Sequence, residues 1–367
     1  MDPKRPVSGW LNRRTLTVTL VAIGLAGGAP SATPVRGERM SAIVYHEYGT
    51  ADVLRLEEIE KPEPEEGRVL IKVRAAAANP LDWHYMRGTP YLMRIESGLF
   101  KPKSPRLGAD IAGEIVAVGA SVTEFKPGDE VFGTGGGTFA EYARASVKRI
   151  ALKPANLTFE EAAAVPVAAI TALQGLRDKG HLGAGQKVLI NGASGGVGTF
   201  AVQIAKAFGA EVTGVCSTRN IALVRSLGAD RVIDYTKEDV TQSEERYDVI
   251  LDNVGNLSLS AMKRLMTPHG RAVLIGGGGP EDGQWIGPMG RALRAVLWSP
   301  FLDQKFEMLL AEINNEDLNL LREMLESGKL KPVIDRTYAL HEVPDAIRYL
   351  ETGRARGKVV IAAQPAD

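Results

Sequence analysis

Residues 187–216, KVLINGASGGVGTFAVQIAKAFGAEVTGVC, contain the pattern that decides the fold. The apolar run at 188–190 is typical of a strand that is buried on both faces, and apolar residues recur at helical spacing from 197 to 208. A second apolar run at 211–216 follows where a parallel strand is required. The stretch therefore predicts a strand, a glycine-rich turn, a helix and a second strand.

The turn between the first strand and the helix has the composition of a dinucleotide-binding loop. Its residues are Gly192, Ser194, Gly195, Gly196, Val197 and Gly198, with Ala193 after the first glycine. Glycine permits a sharp turn and lets backbone N–H groups approach a pyrophosphate, while the positive end of the helix faces the anion. Because a strand precedes the turn and a helix follows it, we predict a nucleotide site rather than an ordinary tight turn.

The tip of the second strand favours NADPH over NADH. A domain that binds NAD commonly has Asp or Glu there to hold the ribose 2′-hydroxyl group, but this chain has the sequence STRN at 217–220. Ser217 can donate a hydrogen bond, and Arg219 can form a charge-assisted pair with a 2′-phosphate group. We therefore predict NADPH as the cofactor; the alternative is that Arg219 is a solvated surface residue.

Length and composition exclude several classes of protein. A chain of 367 residues predicts two domains, and 44% hydrophobic with 24% charged residues is typical of a soluble enzyme. Cations and anions balance at 44 each, which gives no reason to expect a nucleic-acid partner. One cysteine excludes an intrachain disulfide and a Cys-rich zinc site, and the five histidines form no close pair at metal-binding spacing.

Residues 1–39 resemble a secretory signal. Four cations precede the apolar run at 16–27, and small residues follow it. That run is too short to span a bilayer. Two interpretations stay open: an export signal, or an upstream extension before a native start at Met40. A protein that consumes NADPH needs the cytoplasmic pool, so we expect the second interpretation and a cytoplasmic protein.

The rest of the chain predicts two domains of different character. Residues 40–165 contain short strand-like runs at 42–45, 69–75, 113–118 and 130–132, broken by glycine and proline. Residues 162–176 predict a helical connector, and residues 166–334 predict a doubly wound α/β nucleotide domain. Within residues 335–367, the strand at 358–362 predicts a return to the first domain.

Further elements are predicted within the nucleotide domain. Strands are expected at 231–234, 247–252 and 271–275, and a pair of amphipathic helices at 304–330. Gly276 begins a run of four glycines directly after a strand, at the edge of the sheet where ligands bind in this architecture. Close approach to a ligand and a merely flexible loop are both open at this point. The apolar residues at 280–304 are expected on the substrate side.

The order of these parts resembles the medium-chain dehydrogenase/reductase superfamily over nearly all of residues 40–362. The motifs that carry the resemblance lie at 108–116 (GADIAGEIV), 118–119 (VG), 125–131 (FKPGDEV), 192–198 and 357–360 (GKVV). The resemblance implies a β-rich GroES-like domain joined to a doubly wound Rossmann domain. It also implies cofactor contacts from Thr171, Tyr235, Asn253 and Lys358, with Tyr235 near the adenine.

The departures from the family pattern point to its zinc-free branch, which holds quinone, enone and enoyl reductases. Zinc-dependent members carry Cys and His ligands where this chain has Asn79 and Ala109, and the four-cysteine structural zinc lobe is missing. The resemblance therefore implies no metal and an active-site segment at 79–82. It also implies an NADPH-dependent enzyme that reduces quinones or α,β-unsaturated carbonyls.

Without a metal, hydride transfer needs positioning and hydrogen-bond donors around the developing negative charge. Asn79 is the expected donor or orienting group, and His84, Tyr85 and Tyr91 are the nearby groups able to supply a proton, with water as the alternative. Two rival functions stay open: a zinc-free alcohol dehydrogenase or carbonyl reductase, and a non-catalytic NADPH-binding protein whose cleft is filled by Trp285 and Trp298. We expect a small-molecule substrate, with a homodimer left open.

Overall fold

The computed structural model of the chain describes residues 38–276, 289–299 and 302–363. Two main sheets organise the described residues, and their strands come from different parts of the sequence. One sheet takes its strands from residues 68–152 and 334–362, and the other takes its strands from residues 187–308. An isolated parallel bridge between Gly195 and Gly357 joins the glycine-rich turn of the second sheet to the chain that enters the last strand of the first.

The first part of the described chain is rich in strands. Its elements are β1 (Arg39–Val44), β2 (Arg55–Glu60), β3 (Arg68–Ala78), α1 (Pro80–Arg87), α2 (Arg94–Ser97), β4 (Asp110–Val118), β5 (Glu130–Thr134), β6 (Tyr142–Ser146) and β7 (Ile150–Leu152). β3 pairs antiparallel with β4 and β6, β4 with β5, and β5 with β7, while β1 and β2 form a separate hairpin. The strands predicted in this part are confirmed. β2, β6 and β7 were not predicted, because charged residues interrupt the apolar pattern of β2 and β6 and because β7 has only three residues.

The predicted helical connector is two helices rather than one. α3 (Phe159–Ala163) is capped by Thr158, whose side chain accepts a hydrogen bond from the N–H of Glu161, and α4 (Pro166–Gln174) follows two residues later. Proline has no N–H to continue α3 but suits the first turn of α4, so one helix ends and the next begins there.

The second sheet is parallel throughout its described strands. Its elements are β8 (Lys187–Asn191), α5 (Gly196–Ala207), β9 (Glu211–Cys216), α6 (Ile221–Ser226), β10 (Arg231–Asp234), β11 (Tyr247–Asp252), α7 (Leu259–Leu265), β12 (Met266–Leu274), α8 (Met289–Trp298), β13 (Lys305–Met308) and α9 (Asn315–Glu326). The strands lie in the order β10-β9-β8-β11-β12-β13. The order reverses between β8 and β11, and ligands of such sheets bind at the carboxyl ends of the strands at this point.

One element of the second sheet was predicted wrongly. Residues 304–330 were expected to form two amphipathic helices, but the first of them is strand β13, which pairs with β12 over Lys305–Met308. The four residues of β13, KFEM, are too few to show a period that separates a strand from a helix, so pairing with the neighbouring strand decided their form. The second helix is confirmed as α9, which buries Leu318, Leu321 and Leu325.

The last elements are β14 (Ile334–Ala339), α10 (Val343–Glu351) and β15 (Lys358–Ala362). β15 pairs antiparallel with β3 and parallel with β14, so these strands belong to the first sheet. A shared apolar core continues from one sheet to the other, since Ala77, Phe132 and Val360 pack in the same cluster as Val188 and Ile190. Among the described helices, none combines the length and apolar character that crossing a bilayer requires.

Candidate cofactor and catalytic site

The glycine-rich turn forms a cradle that any larger side chain would fill. Gly192 has a φ of 78°, in the region that favours glycine. A Cβ atom on Gly198 would lie 2.1 Å from the carbonyl oxygen of Gly192, so α5 approaches the turn too closely for a side chain there. α5 begins after Gly195, which caps it with no side-chain hydrogen bond. The first N–H groups of α5 therefore suit a bound phosphate, and the cradle fits a dinucleotide.

Two hydroxyl groups beside this cradle are held by one buried amide. Nδ2 of Asn220 donates to Oγ of Ser194 at 2.9 Å and to Oγ of Ser217 at 3.3 Å. Both hydroxyls accept in these bonds, so each retains a proton to donate to a phosphate oxygen. Oδ1 of Asn220 is buried with no partner. Sequence reasoning assigned roles to both serines but missed Asn220, which orients them.

Arg219 lies at the tip of β9, where its side chain bonds to the C-terminal segment. Its Nη2 donates to the carbonyl oxygen of Arg354 at 2.7 Å, and the side chain is exposed. Tyr235, at the neighbouring strand end, is 62% exposed. Both residues follow the carboxyl ends of their strands, the edge at which ligands bind in this architecture.

A carboxylate does lie near this tip, but it faces inward. Asp234 ends β10, and its Oδ2 accepts from the hydroxyl of Thr218 at 2.6 Å while its Oδ1 accepts from Thr236. The hydrogen bond from Thr218 is the main reason that the pKa of Asp234 is lowered. Because the carboxylate is 6% exposed and already bonded, it is not available to hold a ribose hydroxyl group.

The ends of β11 and β12 carry two more of the predicted cofactor residues, Asn253 and Gly276. Nδ2 of Asn253 donates to the carbonyl oxygen of Asn191 at 3.0 Å, while its Oδ1 is buried with no partner. A Cβ atom on Gly276 would lie 2.0 Å from the carbonyl oxygen of Asn253, so only glycine fits there. The buried Asp252 accepts from Asn191 at 2.7 Å and forms an ion pair with Arg291 of α8. The other glycines of the run, 277–279, and Trp285 and Phe301 lie outside the described residues.

Three buried polar side chains form hydrogen bonds with one another next to the start of α5. Nζ of Lys358 donates to Oδ1 of Asn79 at 2.6 Å and to Oδ2 of Asp110 at 2.9 Å, and Nδ2 of Asn79 also donates to Oδ2 of Asp110, at 2.9 Å. The side chains of Lys358 and Asp110 are 3% and 0% exposed. A Cβ atom on Gly196 would lie 3.1 Å from Cδ of Lys358, so the lysine stem packs against the glycine-rich turn. We call Asn79, Asp110 and Lys358 the buried triad.

Asn79 has no amide hydrogen left for a substrate. Its Nδ2 donates to Asp110 and to the carbonyl oxygen of Ala77 at 3.2 Å, which engages both hydrogens. In this arrangement Asn79 has no free amide hydrogen with which to act as the predicted direct donor. Its predicted role as an orienting group stays a prediction. Asp110 lies in the motif at 108–116 but was not predicted as a site residue. The available signal was a carboxylate at the first position of the mainly apolar strand β4.

The carboxylate of Asp82 holds the start of α1 through hydrogen bonds from two backbone N–H groups. Its Oδ2 accepts from the N–H of Asn79 at 2.7 Å, and its Oδ1 accepts from the N–H of Gly108 at 3.2 Å. Burial raises the pKa of Asp82 to about 7, although the two backbone N–H groups favour its ionised form. Asp82 therefore fixes Asn79 to the segment that leads into β4.

The candidate proton donors lie on or near α1. Nδ1 of His84 lies 2.7 Å from the carbonyl oxygen of Thr89, which can only accept, so Nδ1 carries the proton in this bond. The ring stacks on Trp83 at 3.7 Å between centroids, and burial lowers the pKa of His84. Burial raises the pKa of Tyr85. The ring of Tyr91 lies 4.6 Å from the guanidinium group of Arg94.

Thr171 connects α4 to the buried triad through its own helix. Its hydroxyl donates to the carbonyl oxygen of Val167 at 2.6 Å, and the N–H of Val167 donates to Oδ1 of Asp110 at 2.9 Å. Asp110 therefore bonds directly to Asn79 and Lys358, and it bonds to α4, the helix that carries Thr171, through the backbone of Val167. The cofactor contacts assigned to Thr171 and Lys358 stay predictions.

The part of the chain that the structure describes contains no group of three or more His, Cys, Asp or Glu side chains placed to hold a metal ion. Cys216 is buried at the end of β9, and burial raises its pKa to about 11. A neutral, buried thiol of this kind is not poised as a metal ligand or as a nucleophile.

Comparison with known proteins identifies the family. Residues 65–155 match the alcohol dehydrogenase GroES-like domain, and residues 227–361 match the zinc-binding dehydrogenase family. The chain is 38% identical to a 2-methylene-furan-3-one reductase of Solanum lycopersicum, over 95% of this chain and 86% of that protein. It is also 38% identical to a chloroplastic NADPH-dependent alkenal/one oxidoreductase of Arabidopsis thaliana, over 89% of this chain and 81% of that protein.

A solved structure gives the same result. The quinone oxidoreductase from Coxiella burnetii superposes with a TM-score of 0.79 at 30% identity, over 89% of this chain and all of that one. The glycine cradle, the sheet order and these relatives agree with the α/β fold and the nicotinamide cofactor expected from the sequence. The chain therefore belongs to the medium-chain dehydrogenase/reductase superfamily, in its quinone-oxidoreductase-like branch, and is an oxidoreductase that uses a nicotinamide cofactor.

Proposed function

We propose that the protein is a zinc-independent, NADPH-dependent reductase of quinones or α,β-unsaturated carbonyl compounds. The observation that carries this proposal is the buried triad. The residue at the position of a zinc ligand in zinc-dependent relatives, Asn79, bonds at 2.6 Å to the ammonium group of Lys358. The triad also packs against the glycine-rich turn, so it joins the cofactor cradle to the predicted active-site segment.

The proposed zinc independence is supported by the chemistry of these groups. A divalent cation prefers thiolate, imidazole or carboxylate ligands, and an amide already bonded to an ammonium group is a poor substitute. The ammonium group of Lys358 already holds the position between Asn79 and Asp110 that a bound cation would take. The family name of the C-terminal match refers to zinc-binding relatives, whereas this chain has Asn79 and Ala109 at the corresponding ligand positions.

Selectivity for NADPH is supported by the groups at the tip of β9. Arg219 is exposed and oriented by its bond to the carbonyl oxygen of Arg354, while the hydroxyl of Ser217 retains a proton to donate. The side chains of Arg354 and Arg356 are exposed on the same segment. With Asp234 turned inward, a bound 2′-phosphate would meet cations and hydroxyl groups rather than a carboxylate.

The substrate class is supported by the relatives and by the chemistry. The matched proteins are named as a furanone reductase, an alkenal/one oxidoreductase and a quinone oxidoreductase. The nicotinamide cofactor supplies a hydride, and a conjugated acceptor spreads the resulting negative charge over its own oxygen. The protein then needs to position the acceptor, exclude water and provide modest hydrogen-bond donors.

In this proposal the buried triad holds the active-site segment in position and does not react with the substrate. Lys358 and Asp110 fix Asn79 at the start of α1, and Asp82 holds the same backbone from the other side. α1 in turn carries His84 and Tyr85, the candidate proton donors. A homodimer and a cytoplasmic location stay predictions.

The decisive experiment follows NADPH oxidation with a panel of quinones, enones and aldehydes, before and after chelator treatment. We expect turnover with quinones or enones, little with aldehydes, and no loss on chelation. Turnover with simple aldehydes alone would favour a carbonyl reductase. A stoichiometric zinc that is lost together with activity would overturn zinc independence, and tight NADPH binding without turnover of any acceptor would favour a non-catalytic binding protein.

A further inference from the structure

Residues 92–103 form a surface loop with large apolar side chains exposed to solvent. Four of them, Leu92, Ile95, Leu99 and Phe100, lie within nine consecutive positions, and we call this set the apolar tip. Ile95 is 70% exposed and Phe100 is 89% exposed. Single exposed apolar residues are ordinary on protein surfaces, but a cluster of them marks a surface that binds a protein, a membrane or a ligand.

The loop is held in a defined shape. The N–H of Lys103 donates to the carbonyl oxygen of Ser97 at 2.8 Å, which closes a turn with Phe100 midway between its ends. The hydroxyl of Tyr48 donates to the carbonyl oxygen of Gly98 at 2.6 Å. Gly98 has a φ of 122°, and a Cβ atom there would lie 2.0 Å from the carbonyl oxygen of Lys101, so the turn depends on glycine. The exposure of Phe100 therefore follows from the fold of the loop.

The base of the loop is anchored beside α1. The guanidinium group of Arg94 lies 4.4 Å from the ring centroid of Tyr48 and 4.6 Å from that of Tyr91. Its Nε donates to the carbonyl oxygen of Gly88, the residue that ends α1, at 2.8 Å. The apolar tip therefore projects from the same segment that carries the candidate proton donors.

The charge around the tip is positive, in contrast to the rest of the protein. Residues 94–106 contain four cations, Arg94, Lys101, Lys103 and Arg106, and one carboxylate, Glu96. The chain after residue 39 as a whole has a net charge of −4, because the first 39 residues hold six cations and two anions of a neutral total. Lys101 and Lys103 are exposed directly beside Phe100. Apolar side chains flanked by exposed lysines are complementary to the headgroup and acyl boundary of an anionic bilayer.

We propose that the apolar tip, together with Lys101 and Lys103, docks the protein on the surface of an anionic phospholipid bilayer. Phe100, Leu99 and Ile95 enter the boundary between headgroups and acyl chains, and the two lysines contact lipid phosphates. If the proposed function also holds, docking brings α1 close to the phase in which apolar quinones and enones dissolve. The docking itself does not depend on that function.

The test is flotation of the full-length protein with vesicles of phosphatidylcholine alone and of phosphatidylcholine mixed with phosphatidylglycerol. We expect stronger binding to the mixed vesicles, weakened by added salt. Phe100→Ser should lower the partition coefficient about tenfold or more, because one large apolar group no longer enters the bilayer. Lys101→Ala combined with Lys103→Ala should lower it about 30-fold on mixed vesicles and little on neutral ones. These variants share residues 1–37 with the parent, so a difference in vesicle binding between a variant and the parent comes from the loop.

Leu310→Ser is the matched control, since Leu310 is 81% exposed outside the loop, and it should bind vesicles as the parent does. Turnover of a small, water-soluble quinone should be unchanged in Phe100→Ser, which shows that the variant is folded. Equal partition of the parent and Phe100→Ser on both kinds of vesicle would overturn the proposal. So would a dimer that dissociates on Phe100→Ser without any vesicle binding, because the tip would then be a protein interface.

Discussion

Lys358 lies 2.9 Å from Asp110 although 248 residues separate them in the chain, and both side chains are almost fully buried. Removing one member of such a pair leaves an uncompensated buried charge. We therefore expect Lys358→Met and Asp110→Asn each to lower the free energy of unfolding by about 3–5 kcal/mol. Combining the two should lower it by less than the sum of the single effects.

Chemical denaturation measures these free energies. Lys329→Met, which removes an exposed lysine, is the control and should change the free energy by less than about 0.5 kcal/mol. If Lys358→Met behaves like this control, the pair is not a stabilising feature. Additive single effects would show that the two side chains act independently.

Arg219→Ala should reduce selectivity for NADPH. A lost charge-assisted bond is worth about 1.5–3 kcal/mol, so the dissociation constant for NADPH should rise tenfold or more while that for NADH changes little. Fluorescence titration with both cofactors measures this. Arg225→Ala removes the same charge from an exposed position on α6 and should leave both affinities unchanged. Equal losses for NADPH and NADH in Arg219→Ala would contradict the assignment.

Asn79→Ala should lower turnover and stability together. Removing the amide deprives Lys358 and Asp110 of one hydrogen bond each, which should lower the free energy of unfolding by about 1–3 kcal/mol. Turnover should fall roughly 10²-fold, because the start of α1 is then held less precisely. Asn156→Ala, which loses a hydrogen bond to the carbonyl oxygen of Leu325, should leave turnover unchanged. A fall in turnover with unchanged stability would instead indicate that Asn79 donates directly to the substrate.

His84→Phe should leave the pH dependence of turnover unchanged above about pH 6.5. Burial lowers the pKa of His84, so the ring is neutral in this range, and its one proton is held on Nδ1 by the carbonyl oxygen of Thr89. Tyr85 keeps its proton because its pKa is raised, and Tyr85→Phe should lower turnover by about 10²–10⁴ if it is the donor. If turnover of the parent changes with pH near neutrality and this change is lost in His84→Phe, then His84 is the proton donor.

The carboxyl group of Asp82 should make the protein less stable as pH rises from about 4 to about 7. Burial raises its pKa from 3.8 to about 7, so between these values the folded protein binds a proton that the unfolded chain has released. Stability then falls with rising pH, by at most about 1.4 kcal/mol per pH unit from this group. Asp82→Asn removes the titration, so its unfolding free energy relative to the parent should rise across that window. A constant difference between the two would show that Asp82 is ionised throughout.

Several features of this protein were accessible from the sequence because they depend on neighbours in the chain. The glycine-rich turn, the strands at 231–234, 247–252 and 358–362, and helix α9 follow from local periodicity and from the conformational freedom of glycine. The absence of a carboxylate at 217–220 is likewise a local fact. These were sufficient to predict the fold class and a nicotinamide cofactor.

The tertiary structure decided which polar groups are free and which are engaged. Asn79 was predicted as a donor or an orienting group. Strand pairing between β3, β4 and β15 brings Asp110 and Lys358 to its amide, and its two hydrogens are engaged by Asp110 and by the carbonyl oxygen of Ala77. The orientation of Arg219 depends on a carbonyl group 135 residues away. β13 is a strand because β12 lies beside it. Hydrogen-bond partners of this kind come from distant segments, and residue type and spacing along the chain do not specify which segments will meet.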